Sequence, residues 1–303
     1  MNEYNSLNKD NFSVLTSNYF STFVTMLNDL IHAWLSEDIG EGDHSTLAAI
    51  KPEARSTARL LIKESGIIAG LAVAKRIYEL TDVSSNVEWL KEDGDAIEPG
   101  EVAFIVEGNA QNILSTERLI LNCMQRMSGI ATKTHALSQL IAHTSAKLLD
   151  TRKTTPGFRL LEKEAVLIGG GSNHRFGLYD MIMLKDNHID FCGGIQKAVD
   201  AVNAYKKAKN LTIPVEVEVR NEAELMQVIQ TQGVNRILLD NFSPEQIKSC
   251  ISIIPSHFEI EASGGITGDN IVGFAEAGVH FISVGALTHH VKSLDLSLKA
   301  IIH

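Results

Sequence analysis

The chain has 303 residues, 44% of them apolar and 21% charged, which are the values of a folded globular protein and not of a disordered or fibrous one. Its 27 Lys and Arg against 37 Asp and Glu leave a net charge of −10, which argues against nucleic acid or an anionic membrane as a partner. Cys123, Cys192 and Cys250 are widely spaced and form no C-x-x-C pair, so neither a disulfide framework nor a zinc cluster is indicated and a reducing cytoplasm fits.

Residues 1–20 read as a poorly ordered polar leader, without the basic and apolar regions of a signal peptide. No apolar run anywhere approaches the roughly 18 residues of a membrane span. Helical spacing around Phe23, Met26, Leu27, Leu30 and Leu35 then gives way to short apolar stretches, ARLLIKESGIIAG and VEWLKEDGDAIEPGEVAFIVEG, the texture of an α+β domain. The second stretch resembles half of a lipoyl-carrier sandwich, but Lys91 lacks the flanking residues of a modified lysine, and plain β-turns are the reading.

A long helix is expected from about Ser115 to His143, with Leu119, Leu121, Met124, Met127 and Ile130 as its apolar positions. From Lys147 onward short strands alternate with helices. The strands are KLLD, MIML, PVEVEV, RILLD, FEIEA and HFISVG; a last helix is expected near Leu294. Six such strands predict a βα barrel or a doubly wound sheet.

Nearly every strand runs into a polar cluster: DTRKTTPG, KDNH, Arg220, DNF, SGGI and GALTH. Active sites of parallel α/β folds are built at the carboxyl ends of strands, so six polar ends on one face predict a site. Residues 147–188 carry seven Lys or Arg against five acids, which implies an anionic ligand. Within that segment Arg159, Lys163 and Lys147 are assigned to solvated faces, and Arg152, Lys153, Arg175 and Lys185 to the site. The turns around Gly264, Gly265 and Gly285 can bring backbone N–H groups to phosphate oxygens. In VEVEV the period of two puts Glu216 and Glu218 on one face. Glu218 then projects into the mouth near Asp240, suited to ribose hydroxyls or hydrated Mg²⁺, while Glu216 anchors internal hydrogen bonds one layer deeper.

At SEDIGEGDHST, TERLILNCMQRMSGIAT, LLDTRKTTPGFR, GGGSNHRFGLYDMIMLKDNH, VEVEV, LLDNF, EASGGI and VGALTH the chain resembles the quinolinate phosphoribosyltransferase family. The resemblance implies an amino-terminal α/β sandwich domain and an incomplete α/β barrel, the type II phosphoribosyltransferase architecture. It implies a leader over residues 1–20, the sandwich over 21–130 with a carboxyl-terminal helix over 290–303 packing back on it, and the barrel over 131–289. Quinolinate would be held by Arg118, Arg152, His174, Arg175 and Lys185. Phosphoribosyl pyrophosphate would be held by Lys153, Glu218 and Asp240, with Ser263, Gly264, Gly265 and Gly285 on phosphate. The implied cofactor is Mg²⁺ at Glu218 and Asp240, through water or substrate. The implied assembly is a homodimer or higher oligomer in which Arg118 completes the neighbouring subunit's site. The expected reaction joins quinolinate to the ribosyl group and releases pyrophosphate and CO2, leaving nicotinate mononucleotide. A Schiff-base aldolase using Lys185 or Lys153 leaves the arginines unexplained. A non-catalytic binding protein leaves Lys153, Glu218 and Asp240 without a use, and a related transferase acting on another base would show fewer cations for a second carboxylate.

Overall fold

The structure, a computed structural model, describes residues 9–302, with side chains from Val24 onward. Of the expected leader over 1–20, residues 1–8 lie outside the described part; from Lys9 the backbone is helical. The chain divides into two compact units, Met1–Gln125 with Leu294–His303, and Arg126–Ser293.

The first unit holds α1 (Lys9–Ile39), α2 (His44–Ala49), β1 (Arg55–Ile62), β2 (Gly66–Ile67), α3 (Leu71–Thr81), β3 (Asn86–Trp89), β4 (Ala96–Ile97) and β5 (Val102–Asn109). The chain passes to the second unit within α4 (Ala110–Leu140). Apolar residues alternate along β1, burying Ala58, Leu60 and Ile62, and β5 buries Phe104 and Val106 beside them. From α3, Tyr78 meets Phe104 edge-on at 6.1 Å, which ties helix to sheet.

The expected carboxyl-terminal helix is instead a strand, β12 (Leu296–Ala300), antiparallel to β1 with Leu298 opposite Leu60. Its pattern explains the correction: Leu294, Leu296 and Leu298 are buried while Asp295, Ser297 and Lys299 are not, the period of a strand with one solvated face. The sheet order is β12-β1-β5-β3.

The second unit begins within α4 and contains β6 (Lys147–Leu149), α5 (Arg159–Ile168), β7 (Ile182–Leu184), α6 (Asp186–Cys192), α7 (Ile195–Lys209), β8 (Val215–Val219), α8 (Glu222–Val228), β9 (Arg236–Asp240), α9 (Pro244–Cys250), β10 (Glu259–Ser263), α10 (Ile271–Glu276), β11 (Phe281–Ser283) and α11 (Ala286–His289). All six expected strands form, in the order β6-β11-β10-β9-β8-β7, every pairing parallel. The sheet stays open between β6 and β7, the incomplete barrel of the expectation. Register fixes two polar layers. Asp240 lies opposite Ser263 at the carboxyl rim, whereas Glu216 lies opposite Arg236 deeper in.

Candidate active site

Among the residues assigned to the site, all but Arg118 belong to the second unit; most stand at or just beyond the carboxyl ends of its strands, while His174 and Arg175 come from the connection between α5 and β7. Asp240 ends β9 and Glu218 sits one residue before the end of β8. Lys185 follows β7 and places its Nζ 3.7 Å from a Glu218 oxygen. Burial raises the pKa of Glu218; Asp240 and Asp186 push the same way, and Lys185 opposes them. Asp240 is raised mainly by burial and also by Asp186, against hydrogen bonding from Asn241 and the charges of Lys185 and Lys153. The charges of Asp240 and Asp186 thus add to burial in raising Glu218, and that of Asp186 adds to burial in raising Asp240.

Two glycine turns lie beside them. Gly264 has φ +102° and packs so tightly that a Cβ would fall 2.1 Å from Asn241 Oδ1, while Gly265, at φ +60°, faces open space. The Asn241 N–H donates to the Ser263 carbonyl at 2.8 Å, and its side-chain amide donates to Asp240 at 2.7 Å. The glycine turn and the rim carboxylate are thus one connected piece. At Gly285 a Cβ would meet both Lys153 Cδ and His289 Nε2 at 3.0 Å, so Lys153 and His289 converge on this glycine. His289, on α11, is absent from the sequence-predicted set. Its pKa is lowered, first by burial and then by His290, Lys153 and Lys133. Its signal was the histidine ending GALTH, which as a single residue had no partner pattern.

The loop carrying Arg152 and Lys153 is held from below. Glu162, fully buried on α5, accepts from the Thr155 N–H at 3.1 Å, the Thr155 hydroxyl at 2.9 Å and Arg126 Nη2 at 2.8 Å. Arg126 also donates to the Thr288 carbonyl, and the Thr288 hydroxyl donates to the Lys153 carbonyl at 2.8 Å. Both phosphate-side loops are therefore tied through one buried carboxylate. Arg152 is exposed, Arg175 is half-buried, and the charge of Arg152 lowers the pKa of Arg175 after burial has done so, which brings the two guanidinium groups into one neighbourhood.

His174 lies below this rim. Its Nε2 faces Glu216 at 3.0 Å and Glu261 at 3.5 Å, both carboxylates fully buried. Burial alone would lower its pKa, but these two carboxylates outweigh that and raise it. The Arg175 backbone nitrogen lies 2.7 Å from Nδ1, a contact that fixes the ring with its Nε2 toward the two carboxylates. Glu216 is buried as its deeper layer implied, but it meets His174 as a charge and neither of its oxygens accepts a well-aligned hydrogen bond from a described residue, so the expected hydrogen-bond anchor is an ion-pair contact. His174, Glu216 and Glu261 carry ligand atoms within 4.8 Å of one another, but Arg236, 3.0 Å from Glu261, and the Ser283 hydroxyl already engage that carboxylate. The cluster is an internal charge network.

Two surface assignments are corrected. Lys163 is only 2% exposed and pairs with the buried Asp150, and Arg159 is half-buried, donating to Thr154 at 2.9 Å and to the Phe176 carbonyl at 3.0 Å. Lys147 is exposed as expected. Gly169 is explained by packing, since a Cβ there would lie 2.5 Å from the Ala131 carbonyl on α4. Arg118 is exposed on α4, and no hydrogen bond or ion pair joins it to another described residue.

Cations and carboxylates gathered on the carboxyl rim of an open α/β barrel, with glycine turns able to seat phosphate beside them, define an enzyme site for anionic substrates. The sequence patterns of the quinolinate phosphoribosyl transferase N-terminal and C-terminal domains match residues 43–128 and 130–299. A chloroplastic nicotinate-nucleotide pyrophosphorylase [carboxylating] of Arabidopsis thaliana is 46% identical over 288 residues, covering 90% of this chain and 82% of the relative. A mitochondrial quinolinate phosphoribosyltransferase [decarboxylating] of Nicotiana tabacum has the same identity and coverage. The structure of the nicotinate-nucleotide pyrophosphorylase from Francisella tularensis superposes with a TM-score of 0.84 at 41% identity, over 92% of this chain and 97% of that one. The chain belongs to the quinolinate phosphoribosyl transferase family. Among the described residues no helix is long and apolar enough to cross a membrane.

Proposed function

We infer that this chain catalyses its family's reaction, transfer of the phosphoribosyl group of phosphoribosyl pyrophosphate to quinolinate with decarboxylation, giving nicotinate mononucleotide, pyrophosphate and CO2. The observation that carries this reading is the mixed charge of the rim: Arg152 and Arg175 share one neighbourhood, while Lys185 stands beside the carboxylates Glu218 and Asp240 and Lys153 beside the Gly285 turn.

The cations suit a dianion. Arg152 and Arg175 hold the two carboxylates of quinolinate through paired N–H contacts, Lys185 adds a point charge, and His174 backs Arg175. Lys153, Ser263, Gly264, Gly265, Gly285 and His289 receive the phosphates. The pyridine nitrogen donates its lone pair to the anomeric carbon as the bond to pyrophosphate breaks and that electron pair leaves with pyrophosphate. Positive charge develops on the ribosyl ring in between, and Glu218 and Asp240 stabilise it. The electron pair of the C2–carboxylate bond then stays on C2 as CO2 leaves, stabilised by the positive charge of the adjacent alkylated nitrogen, and that pair takes a proton from water.

Glu218 and Asp240 also offer the hard oxygen donors that Mg²⁺ prefers, and the excess of negative charge between Glu218, Asp240 and Asp186 is what a cation would relieve. When bound, the ion supplies charge neutralisation for pyrophosphate. Arg118, exposed and without a described partner, serves a neighbouring subunit's site in a homodimer. Three free cysteines support a cytoplasmic setting. Incubation with quinolinate, phosphoribosyl pyrophosphate and Mg²⁺ is expected to yield nicotinate mononucleotide and CO2, with nicotinate a poor replacement. Turnover of nicotinate without turnover of quinolinate overturns the reading.

A further inference from the structure

Asp150 and Lys163 bear opposite charges in the interior of the second unit, 0% and 2% exposed, and the reaction above uses neither. Asp150 follows β6, two residues before Arg152, and Lys163 lies on α5. Lys163 Nζ donates to Asp150 Oδ1 and, at 3.0 Å, to the His174 carbonyl. The His174 N–H donates to the same Asp150 oxygen at 2.9 Å. Asn173 Nδ2 donates to Asp150 Oδ2 at 2.8 Å and to the Lys163 carbonyl at 2.9 Å. Four hydrogen bonds from this pair therefore converge on Asn173 and His174, the two residues immediately before Arg175.

Stability does not account for this arrangement. Removing two charges from water offsets most of what their attraction returns, and well-packed neutral side chains commonly serve as well. Burial pushes the Asp150 pKa up and the Lys163 pKa down, and the attraction between the two opposes both shifts. What the pair does fix is geometry. Arg152 and Arg175 stand on different loops and repel each other, so in the absence of an anion their charges favour separation. Asp150 ties the backbone leading into Arg152 directly to the backbone leading into Arg175. The Glu162–Arg126 network that supports Lys153 and the Gly285 turn shares no hydrogen bond with it.

We propose that Asp150, Lys163 and Asn173 form a positioning device that holds Arg152 and Arg175 at the spacing of two adjacent carboxylates on a pyridine ring. The proposal rests on the reading that these arginines hold quinolinate. The device acts chiefly on quinolinate, because the carboxylates and glycine turns assigned to phosphoribosyl pyrophosphate stand on β8 to β11, and Lys153, although on the Arg152 loop, is held through the separate Glu162–Arg126 network.

The test removes both charges together with Asp150→Asn and Lys163→Met, which keeps an acceptor for the His174 N–H, and loosens the clamp separately with Asn173→Ala. For the folded double variant KM for quinolinate is expected to rise about tenfold or more, as a misplaced positioning group does. KM for phosphoribosyl pyrophosphate should stay within about twofold, and Asn173→Ala should show the same one-sided loss to a smaller degree. Unchanged quinolinate KM in both variants, or equal losses for the two substrates, overturns the proposal. If the double variant does not fold, Asn173→Ala decides by the same criteria. Arg152→Ala and Arg175→Ala are measured alongside. If these leave quinolinate KM intact, the reading of the site fails; if they raise it while the clamp variants do not, the positioning proposal alone fails.

Discussion

Gly264→Ala is the smallest change that should disconnect the rim. The added Cβ would lie 2.1 Å from Asn241 Oδ1, 2.7 Å from its Cγ and 2.9 Å from its backbone nitrogen. Non-bonded contacts settle near roughly 3.5 Å, so the side chain must retreat by about 1 Å or more, and a rotamer change alone does not clear the backbone nitrogen. The retreat breaks the 2.7 Å hydrogen bond from Asn241 to Asp240 and disturbs the Asn241 N–H to Ser263 bond. Two costs follow. A non-glycine residue at φ +102° is strained, and overpacking adds to it, for about 2–5 kcal/mol together. That corresponds to a fall in melting temperature of roughly 5–15 °C for a unit of this size. The displaced carboxylate should lower kcat by about a hundredfold, as a misplacement near 1 Å does. Gly265→Ala is the control for strain, because nothing lies within 4 Å of its Cβ. The assay is steady-state kinetics with both substrates varied, plus thermal melting. A Gly264→Ala protein with kcat within threefold of the parent would refute the coupling between this glycine and Asp240.

Asp186→Asn removes a charge that helps raise the pKa of both Glu218 and Asp240, so both fall and remain ionised to lower pH. The acidic limb of log kcat/KM against pH should therefore move to lower pH; a limb that stays or moves upward refutes the assignment of these carboxylates as required anions. Arg152→Lys and Arg175→Lys keep charge but lose the planar pair of N–H contacts, and each should lower kcat/KM for quinolinate roughly ten- to a hundredfold, measured by initial rates. Arg118→Ala and Arg152→Ala should each be nearly inactive alone. If Arg118 serves the partner's site, equimolar subunit exchange restores about a quarter of parental activity, since half the dimers then have one of two sites whole. Heterodimers without recovery would place Arg118 outside any shared site.

The barrel was legible because its signals are local. A run such as RILLD is apolar in its body and polar at its end, and that contrast needs no knowledge of what the strand packs against. The same logic put Glu218 and Asp240 at the carboxyl ends of their strands, where the structure has them, and the period of two separated Glu216 from the valines. It failed where the deciding partner is remote. Leu294, Leu296 and Leu298 alternate as a strand should, yet the partner that gives the alternation its meaning is β1, more than two hundred residues away, and a short terminal segment offered no turn signal to correct the helix reading. Lys163 failed for a sharper reason. In RLLEKEAVLI three charged residues stand in succession, and two of them, Glu162 and Lys163, are buried because Arg126 and Asp150 await them from elements on either side. Helical periodicity cannot distinguish a charge that faces water from one that faces a buried counter-charge, since the pattern records only that the position is polar. Strand ends expose the groups that meet substrate, and helix interiors conceal those that hold them in place. A site read from sequence therefore arrives with its contacts named and its supports missing, and the buried acids behind Arg152, Lys153 and Arg175 are those supports.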